Sequence, residues 1–261
     1  MSSSAKHRTA SQRHQDRLDQ LMERATKALA ATKWFVAERL AEEALMVARQ
    51  GQRFLEMSRI CLPLQEARRN RLLAALEIGE REGVRQLTSL PAEDAPPPPG
   101  CWLVLPPRVG ADARRLRLAA LAHSVPAAIL CREPRTKAGR WPVVAVGPLI
   151  IRVHLEPPHG ATEDALAPQT PPAPPPLAWF TAALESLGDA AQASAPVDGE
   201  PVRRVDALLA RLDAHPDHEK LHQALAEACR RAHGTLGSHA PQPAARPLIE
   251  RSPLGGDDES E

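Results

Sequence analysis

Residues 101–131 read CWLVLPPRVGADARRLRLAALAHSVPAAILC. Cys101 to Leu105 is an apolar run of strand length with no polar position to turn toward water, so it is expected to be covered on both faces. Pro106 and Pro107 end it. Gly110 and Asp112 prepare a helix start, and Leu116, Leu118, Ala119, Leu121 and Ala122 supply that helix with an apolar side. Val125 to Cys131 is a second apolar strand. A strand, a helix and a strand joined by short connections imply that the two strands run parallel. After the polar turn Arg132 to Arg140 come Val143 to Val146, a Gly147-Pro148 turn and Leu149 to Leu155. In the last of these, Ile150, Arg152 and His154 alternate with Ile151, Val153 and Leu155, the pattern of a hairpin strand. The expected product is a βαβββ module over residues 101–156, a four-stranded mixed sheet with one helix on a face. So short a unit is marginal alone, so its bare face needs the helical block or a second copy of the chain.

Proline sets the limits of this module. Residues 91–100 contain the run Pro96 to Pro99, and residues 157–176 contain two further clusters. Such segments favour extended polyproline II and read as semi-rigid spacers, the second of them acidic. The division expected is a disordered basic tail (1–14), a helical domain (15–90), a linker (91–100), the α/β module (101–156), a linker (157–176), C-terminal helices (177–236) and a disordered acidic tail (237–261).

In the first block, Leu18, Leu21, Met22, Ala25, Ala28 and Leu29 recur at the spacing of one helix face, predicting a helix over His14–Ala31. Thr32 and Lys33 make the turn. A second helix carries Trp34, Ala37, Leu40, Ala41, Ala44, Leu45 and Ala48 inward, and its alanines allow a neighbour to approach closely. Beyond Gly51 a third helix bears Phe54, Leu55, Met57, Ser58 and Cys61. Pro63 is expected to interrupt it, with helical pattern resuming from Leu64 to Leu76 and on toward Val84. Leu21, Ala25, Ala28, Trp34, Ala37, Ala41, Ala44 and Leu45 resemble the packing positions of a tetratricopeptide repeat, a helix-turn-helix unit of about 34 residues. The match covers residues 18–49 once; one repeat length on from Trp34 and Ala37 stand Arg68 and Arg71. The resemblance implies a helical hairpin that serves protein–protein interaction. Together these blocks make an α+β chain.

Charge is balanced over the whole chain, with 33 basic and 32 acidic groups, but not within it. Residues 1–90 carry 16 basic against 11 acidic groups, residues 101–155 carry 9 against 2, and residues 156–200 carry seven acids with no Lys or Arg. Opposed blocks can attract each other, or the basic one can face an anionic partner. The four cysteines, at 61, 101, 131 and 229, form no CxxC pair and read as buried apolar residues. There is no secretory signal and no apolar run of membrane length, so a cytoplasmic location is expected. The loop from Pro106 to Asp112 matches neither GxGxxG nor GxxxxGK[ST], and Asp112 reads as a helix cap.

Residues 218–222, His-Glu-Lys-Leu-His, satisfy HExxH, in which two imidazoles one turn apart hold zinc beside a general-base glutamate. Here Lys220 follows the glutamate, no third ligand is evident downstream, and Pro216 starts the helix where the motif lies. His218 and His222 are therefore expected to flank the buried stripe Leu221, Leu225, Ala228 and Cys229 on a plain helix surface. Val205, Leu208, Leu209 and Leu212 supply the partner helix of that hairpin. The expected function is a non-enzymatic interaction or scaffold protein without cofactor, its partner another protein and no membrane. One alternative is a nucleic-acid-associated regulator with phosphate contacts from Arg114, Arg115, Arg117, Arg135, Lys137 and Arg140. The other is a zinc metallopeptidase using His218, Glu219 and His222.

Overall fold

The apolar stripe that begins at Leu18 seats α1 (Ser2–Ala30) on α2 (Trp34–Gln50), and α3 (Phe54–Glu82) completes the first layer. The computed structural model describes residues 2–87, 89, 91–92, 95–159, 161 and 173–238. Leu21, Ala25, Ala28, Ala37, Ala41, Ala44 and Leu45 are all buried, while Trp34 is half-buried. Two expectations are corrected here. Helix α1 starts at Ser2 rather than near His14, since nothing between Ser2 and Ala30 is Gly or Pro and an existing helix extends at little cost. Helix α3 runs straight through Pro63. The missing N–H costs about 3 kcal/mol in a helix interior, but Met57, Ile60, Cys61, Leu64 and Ala67 are buried on both sides of it and hold the axis in place.

The chain then enters the sheet one strand earlier than expected. β1 (Val84–Leu87) pairs in parallel with β2 (Gly100–Val104), and β2 pairs in parallel with β3 (Ala127–Arg132) across α4 (Gly110–Ala122). β4 (Trp141–Val146) and β5 (Ile150–Leu155) follow antiparallel, giving five strands in the order β1-β2-β3-β4-β5. The four-residue β1 was hidden in the helical pattern that leads to it. Parallel strands need a long crossover; within the connection that leads to β2, Pro98 O accepts from Trp102 Nε1 at 2.8 Å, which ties Pro98 to the sheet. Val109 takes the N-cap place of α4, and Asp112, three residues on, makes the capping-box bond, its Oδ2 accepting from the Val109 N–H at 3.0 Å.

Both faces of the sheet are covered. Val104, Cys131 and Val144 meet Ala113 and Leu116 of α4. On the other face Cys101, Leu103, Leu105, Ala128, Leu130, Val143 and Ile151 join a core that takes in α1, α2, α3 and the C-terminal helices. Gly79 of α3 permits the close approach: a Cβ there would lie 2.7 Å from Cys101 Sγ. The C-terminal part comprises α5 (Leu177–Ala193), α6 (Pro201–Ala214) and α7 (Glu219–Ser238). α6 and α7 form the expected hairpin, and α7 lies along α3. The four cysteines are buried and unpaired. Burial pushes the thiols of Cys61, Cys131 and Cys229 up to about 12 and that of Cys101 up to about 11. Of the linker 157–176, residues 160 and 162–172 lie outside the described residues, as does the tail from 239 onward.

Candidate functional site

Polar groups concentrate where α2, α3 and the turn between α6 and α7 meet. That turn reads His215-Pro216-Asp217-His218, and its histidines are buried. His215 Nε2 donates to Leu184 O at 3.0 Å. Burial drives its pKa down to about 4, so the ring is neutral at pH 7.

Glu38 lies on the inward side of α2 and accepts from two arginines of α3, Arg68 Nε at 3.0 Å and Arg71 Nε at 3.0 Å. Arg71 also pairs with Asp217, and Arg68 with Glu42. Arg68 and Arg71 stand one turn apart on the stripe Met57, Cys61, Leu64, Ala75, which explains why two cations are inside: the stripe faces α2 and α7, and the carboxylates wait there. Burial opposes both guanidinium charges, but Glu38, Glu42 and Asp217 outweigh it and raise their pKa values. Burial likewise opposes the Asp217 carboxylate, yet Arg71, with Arg117 and Arg68, holds it below the usual range.

His222 belongs to the same network. Arg68 Nη1 approaches His222 Nε2 at 3.3 Å, and because arginine only donates, Nε2 must carry the lone pair. His222 Nδ1 then bears the proton and donates to His218 O at 3.1 Å. Burial, with the Arg68 charge beside it, drives the pKa of His222 down to about 3.

The surface reading of His218 and His222 is therefore corrected, and the physical reason is the packing of α7 on α3 and α5. The motif does not assemble as a peptidase centre either. Glu219 points outward to Arg69, with Arg69 Nε 3.3 Å from its Oε1. His222 Nε2 turns to Arg68, whereas His218 Nε2 turns to α5, 3.3 Å from Asp189 Oδ1 and 3.4 Å from Glu185 Oε2.

The basic residues of the α/β module are engaged within the chain. Arg114 Nη2 donates to Asp213 Oδ2 at 2.9 Å, Arg117 Nη2 to Asp213 O at 2.8 Å, and Arg135 Nε to Gly139 O at 2.7 Å. Arg140 Nη2 lies 2.8 Å from Glu156 Oε1. Arg115 and Lys137 are exposed. Between α4, β4 and the histidine turn lies a cleft of about 30 Å³ lined by Arg114, Arg117, His215 and Asp217. That is room for water rather than for a substrate.

Glu38, Arg68, Arg71, Glu185 and Asp189 escaped the sequence reading. For the two arginines a signal existed: they fall where the helical repeat needs buried residues, a mismatch that in the fold marks a charged stripe position. No protein-family model, curated protein or solved structure matches the chain.

Proposed function

We propose that this chain is a non-catalytic interaction protein whose tetratricopeptide-like helices present the docking surface. The observation that carries the reading is the closed charge network at the centre. Glu38, Arg68, Arg71 and Asp217 neutralise one another while joining α2, α3 and the α6–α7 turn, and the cleft beside them admits little more than water. The outward side of the same helices keeps apolar groups in solvent: Leu62 and Leu73, three turns apart on α3, and Met46 on α2. The internal pairing of Arg114, Arg117, Arg135 and Arg140 favours a protein over a nucleic acid as partner. The test is affinity capture by the tagged full chain from native extract, with and without nuclease, beside a Leu62→Asp, Leu73→Asp variant of unchanged melting temperature. A specific protein retained after nuclease and lost with the variant is the expected result. Capture abolished by nuclease would favour the nucleic-acid alternative, and a partner bound equally by the variant would remove the helical surface from the account.

A further inference from the structure

We propose that Glu185, Asp189 and His218 form a binding site for one divalent transition-metal ion of the zinc class, clipping α5 to the start of α7. The inference is independent of the interaction reading, because Glu185, Asp189 and the His218 ring take no part in the docking surface proposed above.

The geometry comes from two elements. Glu185 and Asp189 are one turn apart on α5, so their carboxylates share a face. His218 immediately precedes α7, and its Nε2 lies 3.3 Å from Asp189 Oδ1 and 3.4 Å from Glu185 Oε2. One ligand atom from each of the three residues lies within 4.8 Å of the others. In a tetrahedral zinc site with bonds of about 2.0–2.1 Å, neighbouring ligand atoms stand about 3.3–3.4 Å apart. The two distances from the imidazole match that spacing.

The histidine supplies the second, independent observation. Its side chain is 1% exposed, yet Nδ1 has no partner and Nε2, within ion-pair reach of both carboxylates, makes no well-formed hydrogen bond to either. A buried imidazole so poorly hydrogen-bonded is costly, and a cation between Nε2 and the carboxylates would satisfy the nitrogen that faces them. The ring is also held in that pose. Gly188, between the two acids, lets it lie against the α5 backbone, since a Cβ there would be 2.2 Å from His218 Cγ. A zinc ligand must be a neutral imidazole, and burial of His218 opposes its charged form while Glu185 and Asp189 favour it.

Access is from solvent, because Glu185 and Asp189 are 66% and 54% exposed. Lys220 Nζ now sits 2.7 Å from Asp189 Oδ1 and competes with an incoming cation, but its long side chain is half-exposed and free to swing out. His215 stays outside the set with its Nε2 bound to Leu184 O, and His222 stays with Arg68. One nitrogen and two carboxylate oxygens, with water completing the shell, suit zinc, cobalt or nickel better than magnesium.

Isothermal titration of the chelator-stripped full chain with zinc chloride tests the site. One zinc per chain is expected, with no heat from magnesium chloride. Glu185→Gln and Asp189→Asn, both at exposed positions, should each weaken binding more than about tenfold, the scale on which even outer-shell partners act. Their metal-free melting temperatures should stay close to that of the parent. Lys220→Ala should tighten binding by removing the competing ammonium. Absence of zinc binding to the parent chain, or undiminished affinity in the Glu185→Gln, Asp189→Asn double variant, would overturn the proposal.

Discussion

At position 188 a methyl group would stand 2.2 Å from Cγ of His218. Alanine ordinarily stabilises a helix interior by about 1 kcal/mol relative to glycine, so Gly188→Ala is a case in which propensity and packing oppose each other. Overpacking costs about 1–3 kcal/mol, and the buried ring has little space to retreat. The variant should be net destabilised, read as a lower urea midpoint; a midpoint equal to or above the parent's would show that His218 is not seated on α5. The histidines also set the response to acid. His215 and His222 have folded pKa values of about 4 and about 3, below the roughly 6.5 of an unfolded histidine. The unfolded chain therefore binds more protons below that value. The stability each ring contributes is fully present above pH 6.5 and is lost as pH falls toward 4 and 3, at up to about 1.4 kcal/mol per pH unit per ring. Metal-free protein should show a clear drop in urea midpoint between pH 7 and pH 5, shallower in His222→Gln. A flat profile would mean that the rings titrate normally and are not buried as described.

Helices α2 and α3 depend on one carboxylate. Glu38 binds both buried arginines, so Glu38→Ala leaves two desolvated cations with only Glu42 and Asp217 to answer them. Breaking a buried pair from one side costs about 3–5 kcal/mol, and this variant should lose that much in urea denaturation. A loss below about 1 kcal/mol would mean that water reaches the network. The helices themselves were legible as 3.6-residue periodicity at Leu18–Leu29 and Trp34–Ala48. The continuity of α3 was not, because Pro63 carries a local penalty and the compensating burial comes from residues far away in the chain.

For the whole molecule, one apolar cluster runs from Leu18 through Cys101 and Ile151 to Ala232. Ion pairs bridge the same parts, Arg49 with Asp206 and Arg114 with Asp213 among them. Far-ultraviolet circular dichroism and tryptophan fluorescence should therefore report one coincident unfolding transition. Residues 101–156 expressed alone should lack a cooperative transition, since the sheet face that holds Leu103 and Leu130 is closed by α3 and α5. Two separated transitions, or an autonomously folded module, would mean that the shared core contributes little.

The sequence by itself determined the α+β class, the helical hairpins, the parallel strands around α4 and the hairpin that follows them. These rest on short-range periodicity and on turn residues, whose physics acts within a few positions of the chain. Tertiary structure alone decided that β1 joins the sheet, that His218 and His222 are inside, and that Arg68 and Arg71 are neutralised by Glu38 and Asp217. The acceptor for Arg71 lies 146 residues further on, and no local pattern encodes a desolvation penalty that is offset by a charge brought from so far.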